Sequence, residues 1–163
     1  MRVYIPATVP ILRSFVADGE LRAVMGTAFA LTPRLRESYA AGDTGELEYA
    51  AMMEAARASL RLLAGDPEAM PRRVVIAAEV EGVRVRPELD DAAVTLPGPV
   101  PMQAVAAVHV DVAEAEPAVA AAAAVVDAAD LGDTDAEFAL GDAEDHEMAW
   151  YATQEIPFLL DLM

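Results

Sequence analysis

Apolar side chains recur along this chain with two spacings, and each change of spacing marks a new element. In RVYIPA (residues 2–7) Val3 and Ile5 share one side, the alternation of a strand. Thr8, Pro10 and Gly19 then frame VPILRSFVAD as a helix. They supply a hydroxyl to cap free N–H groups, a proline in the first turn and a glycine past the end. GTAFALT (26–32) predicts a second short strand, and Thr32-Pro33 opens a helical turn through RLRESY. A long helix is predicted over 44–64, with Asp43 and Glu46 as its capping box and Gly65 beyond its end. Its apolar positions fall in two stripes, one through Tyr49, Met52, Ala56, Leu60 and Leu63, the other through Leu47, Ala51, Ala55, Ala58 and Leu62. Such a helix is covered over more than half its circumference, which leaves Glu54, Arg57 and Arg61 toward water.

RRVVIAAEVE (72–81) predicts a buried strand, and Glu81-Gly82 a hairpin turn into VRVR (83–86). Prolines at 87, 97, 99 and 101 make 87–101 a surface excursion, in which Ala92–Leu96 suits an edge strand. MQAVAAVHVDVA (102–113) has the clearest alternation in the chain. EPAVAAAAAVVDAAD (116–130) reads as a helix whose small side chains permit close packing, and 131–147 as an acidic loop. In the closing stretch Trp150 alternates with Tyr151; a lone Trp belongs in the core, so Trp150 is expected to anchor a last strand and Tyr151 to face outward. YIPATVPIL, FALTPRL and YATQEIPFL share one order of aromatic, Thr and Pro-x-Leu, a strand, cap and helix start used three times. The pattern as a whole predicts one α+β (or α/β) domain over 1–163. Its mixed sheet of about five to six strands is packed by the 44–64 helix and the Ala-rich 116–130 helix.

Composition narrows the chemistry. Hydrophobic residues make up 55% of the 163 positions, ample for a core. Cys is absent, which excludes disulfides, thiolate metal sites and a cysteine nucleophile. Lys is absent too, so all 11 basic residues are Arg, and Schiff-base or Walker-type lysine chemistry is excluded. The sequence holds no G-x-x-x-x-G-K-[ST], G-x-G-x-x-G, H-E-x-x-H or G-x-S-x-G. No signal peptide is evident, and the uncharged run Pro117–Val126 is half a membrane span, so a soluble cytoplasmic protein is expected. Charge is unevenly spread: residues 1–86 carry every Arg and 11 acids, whereas 87–163 carry 17 acids and no Lys or Arg. That half repels nucleic acid and anionic membranes and favours a basic protein partner.

Several constellations are candidates for a site. His109 and Asp111 lie two apart on a strand, hence on one face, the minimum for a general base or a metal foothold. Arg84 and Arg86, together with Arg72 and Arg73, could grip a phosphate or carboxylate, or else pair with the chain's many acids. Asp133, Asp135 and Glu137, with Glu144 further on, have the spacing of oxygen ligands in a calcium loop. Phe138 stands where the sharp-turn glycine belongs, however. No cofactor is predicted, although these acids could hold a divalent cation. Asp142, Glu144, Asp145, Glu147 and Tyr151 form a candidate contact surface for a protein.

MRVYIPAT, the helix LEYAAMMEAARASLRLLA and the ending WYATQEIPFLL resemble an uncharacterised family of small actinobacterial proteins. The resemblance carries no activity and no site residues. The sequence therefore points first to a non-enzymatic interaction or regulatory protein acting through its acidic second half. The second reading is a small-molecule-binding domain or metal-assisted enzyme around His109 and Asp111. Homodimerisation could use the Ala-rich helix or an edge strand.

Overall fold

The computed structural model describes residues 1–39 and 41–163. In chain order its elements are β1 (Arg2–Ala7), α1 (Val9–Asp18), β2 (Glu20–Leu21), β3 (Thr27–Ala30), α2 (Pro33–Ser38), α3 (Thr44–Ala64), β4 (Val74–Glu79) and β5 (Arg84–Val85). There follow β6 (Ala93–Thr95), β7 (Val100–Pro101), β8 (Val105–Val110), α4 (Glu116–Asp130), α5 (Thr134–Glu144), β9 (Ala149–Ala152) and α6 (Ile156–Asp161). Seven strands form one sheet in the order β5-β6-β3-β1-β4-β8-β9, and β2 and β7 pair separately. The class is α+β, as the alternation implies. The sheet is not mixed: the pairings among the described residues are antiparallel.

The helix starts rest on the predicted caps. Thr8 accepts from the Ile11 N–H at 3.3 Å, Thr32 from Leu35 at 3.0 Å and Asp43 from Glu46 at 2.8 Å. Gly19 ends α1 in the left-handed conformation (φ 76°), its N–H reaching Phe15 O at 2.8 Å. Gly65 does not do the same for α3; it stays right-handed at φ −84°. The third strand–cap–helix unit uses a different device, in which Glu155 accepts from the Ala152 N–H and Thr153 donates to Val105 O.

Alternation sorts the central strands into two faces. Val3, Ile5, Val74, Ile76, Val108 and Val110 point to one layer, covered by Leu12 and Phe15 of α1 and Ile156 and Leu159 of α6. Tyr4, Phe29, Val75 and Ala77 point to the other, covered by Ala51, Ala55 and Ala56 of α3. The Ala-rich α4 packs on helices rather than on the sheet. Its Val119, Ala122 and Val126 meet Leu60 and Leu63 of α3 and Ala136 and Leu140 of α5. Buried Ser59 of α3 locks the layers, donating to Ala7 O at 2.7 Å and accepting from the Val74 N–H at 3.1 Å.

Three expectations are corrected. The acidic stretch after 131 is not a loop, because Asp133 caps Ala136 at 2.8 Å and α5 runs to Glu144, burying Ala136, Leu140 and Ala143. Its apolar positions are few but spaced by three and four, enough to pack once α4 offers a partner. The turn at Gly82 makes no hairpin with β4: β5 pairs with β6 at the far edge, and β6 lies inside the sheet between β5 and β3. Arg57 is half-buried and does not face open water, whereas Arg61 stays exposed as expected but is ion-paired. Arg57 reaches Asp130 at 3.0 Å and Glu137 at 2.9 Å, and Arg61 reaches Asp130 at 2.7 Å, clasping α3 to α4 and α5. Glu54 is half-buried as well, and that burial, with Asp90 adding to it, pushes its carboxyl up.

Candidate functional site

Helix α3 lies over β1, β3 and β4 and leaves the same face of β8 and β9 open. A cleft results. His109 of β8 sits on its floor opposite Val75 and Trp150 in the strand register, and small Ala77 and Ala107 hollow the floor beside it. Tyr49, Met52 and Met53 of α3 form one wall; Trp150, Met148 and Glu147 form the other. Two adjoining hollows share Tyr49, Met52, His109 and Trp150, one of about 300 Å³ toward Arg73 and His146 and one of about 340 Å³ toward Arg2, Tyr4 and Glu48.

Trp150 is 60% exposed and Tyr49 54%, although each is among the bulkiest apolar groups in the chain. Trp150 is therefore not the buried anchor expected of a lone tryptophan. Tyr151 takes the inward position, packing with the α1/α6 layer. The difference is one of phase: β9 turns its even positions toward the cleft, and that face of the edge strand has no helix above it. Tyr49 likewise leaves its expected apolar stripe, while Met52 keeps part of its surface packed against the core and shows the rest to the cleft. Ala51, Ala55 and Ala56 are the fully buried residues of α3 in this layer.

Electrostatics at the cleft is largely settled by internal pairs. Arg73, at 1% exposure, donates to both Asp111 carboxylate oxygens at 2.8 Å; its backbone N–H adds a third bond at 2.7 Å and its guanidinium also reaches His146 O at 2.9 Å. Arg2 is held by Glu79 at 2.6 Å. Burial, with the Arg2 charge adding to it, holds the His109 pKa below that of a free histidine. Burial and the nearby Glu48 raise the Tyr4 phenol.

The candidate residues from the sequence mostly disperse. His109 lines the cleft, but Asp111 lies past the end of β8 with both oxygens committed to Arg73, so the two form no acid–base pair. Arg72 pairs with Glu116 at 3.0 Å beside α4, while Arg84 and Arg86 sit at β5 on the opposite edge of the sheet, Arg86 bound by Glu88 and Thr95. Asp133, Asp135 and Glu137 occupy the first turn of α5 and Glu144 its end, and among the described residues no three acids or histidines gather as a metal site. Asp142, Glu144, Asp145 and Glu147 are exposed, and of the four Glu147 borders the cleft, whereas Tyr151 belongs to the opposite face. Tyr49, Met53 and Met148 complete the cleft without having been singled out by sequence. The available signal was bulky, soft side chains on an otherwise Ala-lined helix.

No helix among the described residues is long and apolar enough to cross a membrane. A family model described as a family of unknown function (DUF6912) matches residues 1–160. No curated protein and no solved structure matches the chain.

Proposed function

Because the chain belongs to that family of unknown function, we propose from geometry that it is a non-enzymatic interaction protein holding a basic segment of a partner protein in the cleft between α3 and β9. The observation that carries this reading is the cleft's lining. Two exposed aromatics, three methionines and the carboxylates of Glu48 and Glu147 share one concave surface. Aromatic and methionine side chains give adaptable contact area. The two acids, with exposed Asp142, Glu144 and Asp145 shortly before Glu147 in the chain, attract a cationic partner and repel nucleic acid and anionic lipid. A cytoplasmic setting and an actinobacterial origin belong to the same reading. The alternative enzyme around His109 and Asp111 would have to work without Asp111, whose oxygens serve Arg73.

Affinity capture with the whole chain tests this, run at low and at high salt and repeated with the combined D142N, E144Q, D145N and E147Q variant. Basic proteins retained at low salt, released at high salt and lost with the variant are the expected result. Recovery of no partner, or retention indifferent to salt, overturns it.

A further inference from the structure

We propose that the group seated in the cleft is an arginine side chain of the partner, held between Tyr49 and Trp150 above His109. This rests on the reading that the cleft takes a basic segment, and it names the chemistry of the group that enters. Tyr49 and Trp150 border the same hollows from opposite walls and keep more than half of their surface free. Aromatic faces attract cations through the ring quadrupole, and a guanidinium is flat and weakly hydrated, so it stacks where a compact ammonium does not. Methionines 52, 53 and 148 supply soft walls for its aliphatic stem.

The charges around the slot suit the same occupant. The cations that border it are already neutralised, Arg2 by Glu79 at 2.6 Å and Arg73 by Asp111 at 2.8 Å. The slot's own Glu48 and Glu147 have no arginine partner among the ion pairs of the described residues; Glu48 lies beside the Tyr4 phenol, and both carboxylates retain capacity to accept guanidinium donors. His109 on the floor adds no competing charge at neutral pH, since burial lowers its proton affinity. A planar anion would meet those two carboxylates.

Trp150 is the only tryptophan, so its fluorescence reads this site directly. The probes are a capped peptide of three arginines spaced by glycines and its three-lysine counterpart, added to the whole chain at moderate salt, with calorimetry as a second readout. The arginine peptide should change Trp150 emission saturably and bind on the order of tenfold more tightly than the lysine peptide. Tyr49→Ala should weaken it roughly five- to tenfold, while Tyr49→Phe, which keeps the ring, should bind within about twofold of the parent. Equal affinity for both peptides, or indifference to Tyr49→Ala in a chain whose circular dichroism is unchanged, overturns the arginine seat. Calorimetric binding with silent Trp150 also overturns it, while leaving the acidic interaction surface standing. Binding of neither peptide overturns both readings.

Discussion

Arg73 and Asp111 form a buried ion pair whose carboxylate takes three N–H bonds from one residue, two from the guanidinium and one from the backbone. The pair joins the entry of β4 to the exit of β8, and the same guanidinium reaches across to His146 O at 2.9 Å, fixing the segment that leads into β9. Asp111→Asn leaves a buried guanidinium without its counter-charge and should cost about 3–5 kcal/mol of unfolding free energy. The paired replacement Arg73→Met with Asp111→Leu should cost much less, because neither charge is then left behind. Urea denaturation of the three chains checks the order.

Trp150 should behave as a surface residue. Its emission should be red-shifted and readily quenched by acrylamide, and Trp150→Ser should change stability by less than about 1 kcal/mol. Ile156→Ala, six positions later and fully buried, should cost about 2–5 kcal/mol. The opposite ranking in thermal or urea unfolding would mean that β9 lies in the other phase.

Ser59 offers a sharper test of how α3 is seated. Ser59→Ala removes the hydroxyl that serves both Ala7 O and the Val74 N–H, two buried groups at the ends of central strands. A loss of about 1–3 kcal/mol is expected, more than a surface Ser→Ala change produces. Urea midpoints with an unchanged slope would confirm that only stability moved.

His109 links the cleft to pH. Its folded pKa lies below the ordinary value of 6.5, so between the two values the unfolded chain binds more protons than the folded one. The stability this represents is complete above about pH 6.5 and is lost as pH falls through the lower folded value. His109→Gln should therefore lose less stability than the parent chain on going from neutral to mildly acidic solution. A proton NMR titration of the ring should show a midpoint below that of a free histidine, and a midpoint at or above it overturns the assignment.

Much of the fold could be read from the sequence, because the signals were local. Thr8, Thr32 and Asp43 cap the helices they were expected to cap, and β1, α3 and α4 begin and end within a residue or two of their patterns. What could not be read depends on partners distant in the chain. The alternation of Trp150 and Tyr151 shows that they face opposite ways but not which face has a helix over it. The stretch 131–147 looks like a solvated acidic run until α4 is placed beside it. The charge split also changes in space: Arg57, Arg61, Arg72 and Arg73 of the neutral half pair with Asp130, Glu137, Glu116 and Asp111 of the acidic half. The unpaired acids are thereby fewer, and among the described residues Asp142, Glu144, Asp145 and Glu147 are four of those that no arginine claims.

The strand order carries a consequence in time. The two walls of the cleft come from α3 and from β9, and β9 is the last strand in the chain to join the sheet, at its edge beside β8. A nascent or partly folded chain that has built β1, β3 and β4 under α3 has the floor for β8 but no second wall. If the cleft is the contact surface proposed above, a chain in which β9 has not yet paired with β8 lacks one of its two walls and should not bind the partner.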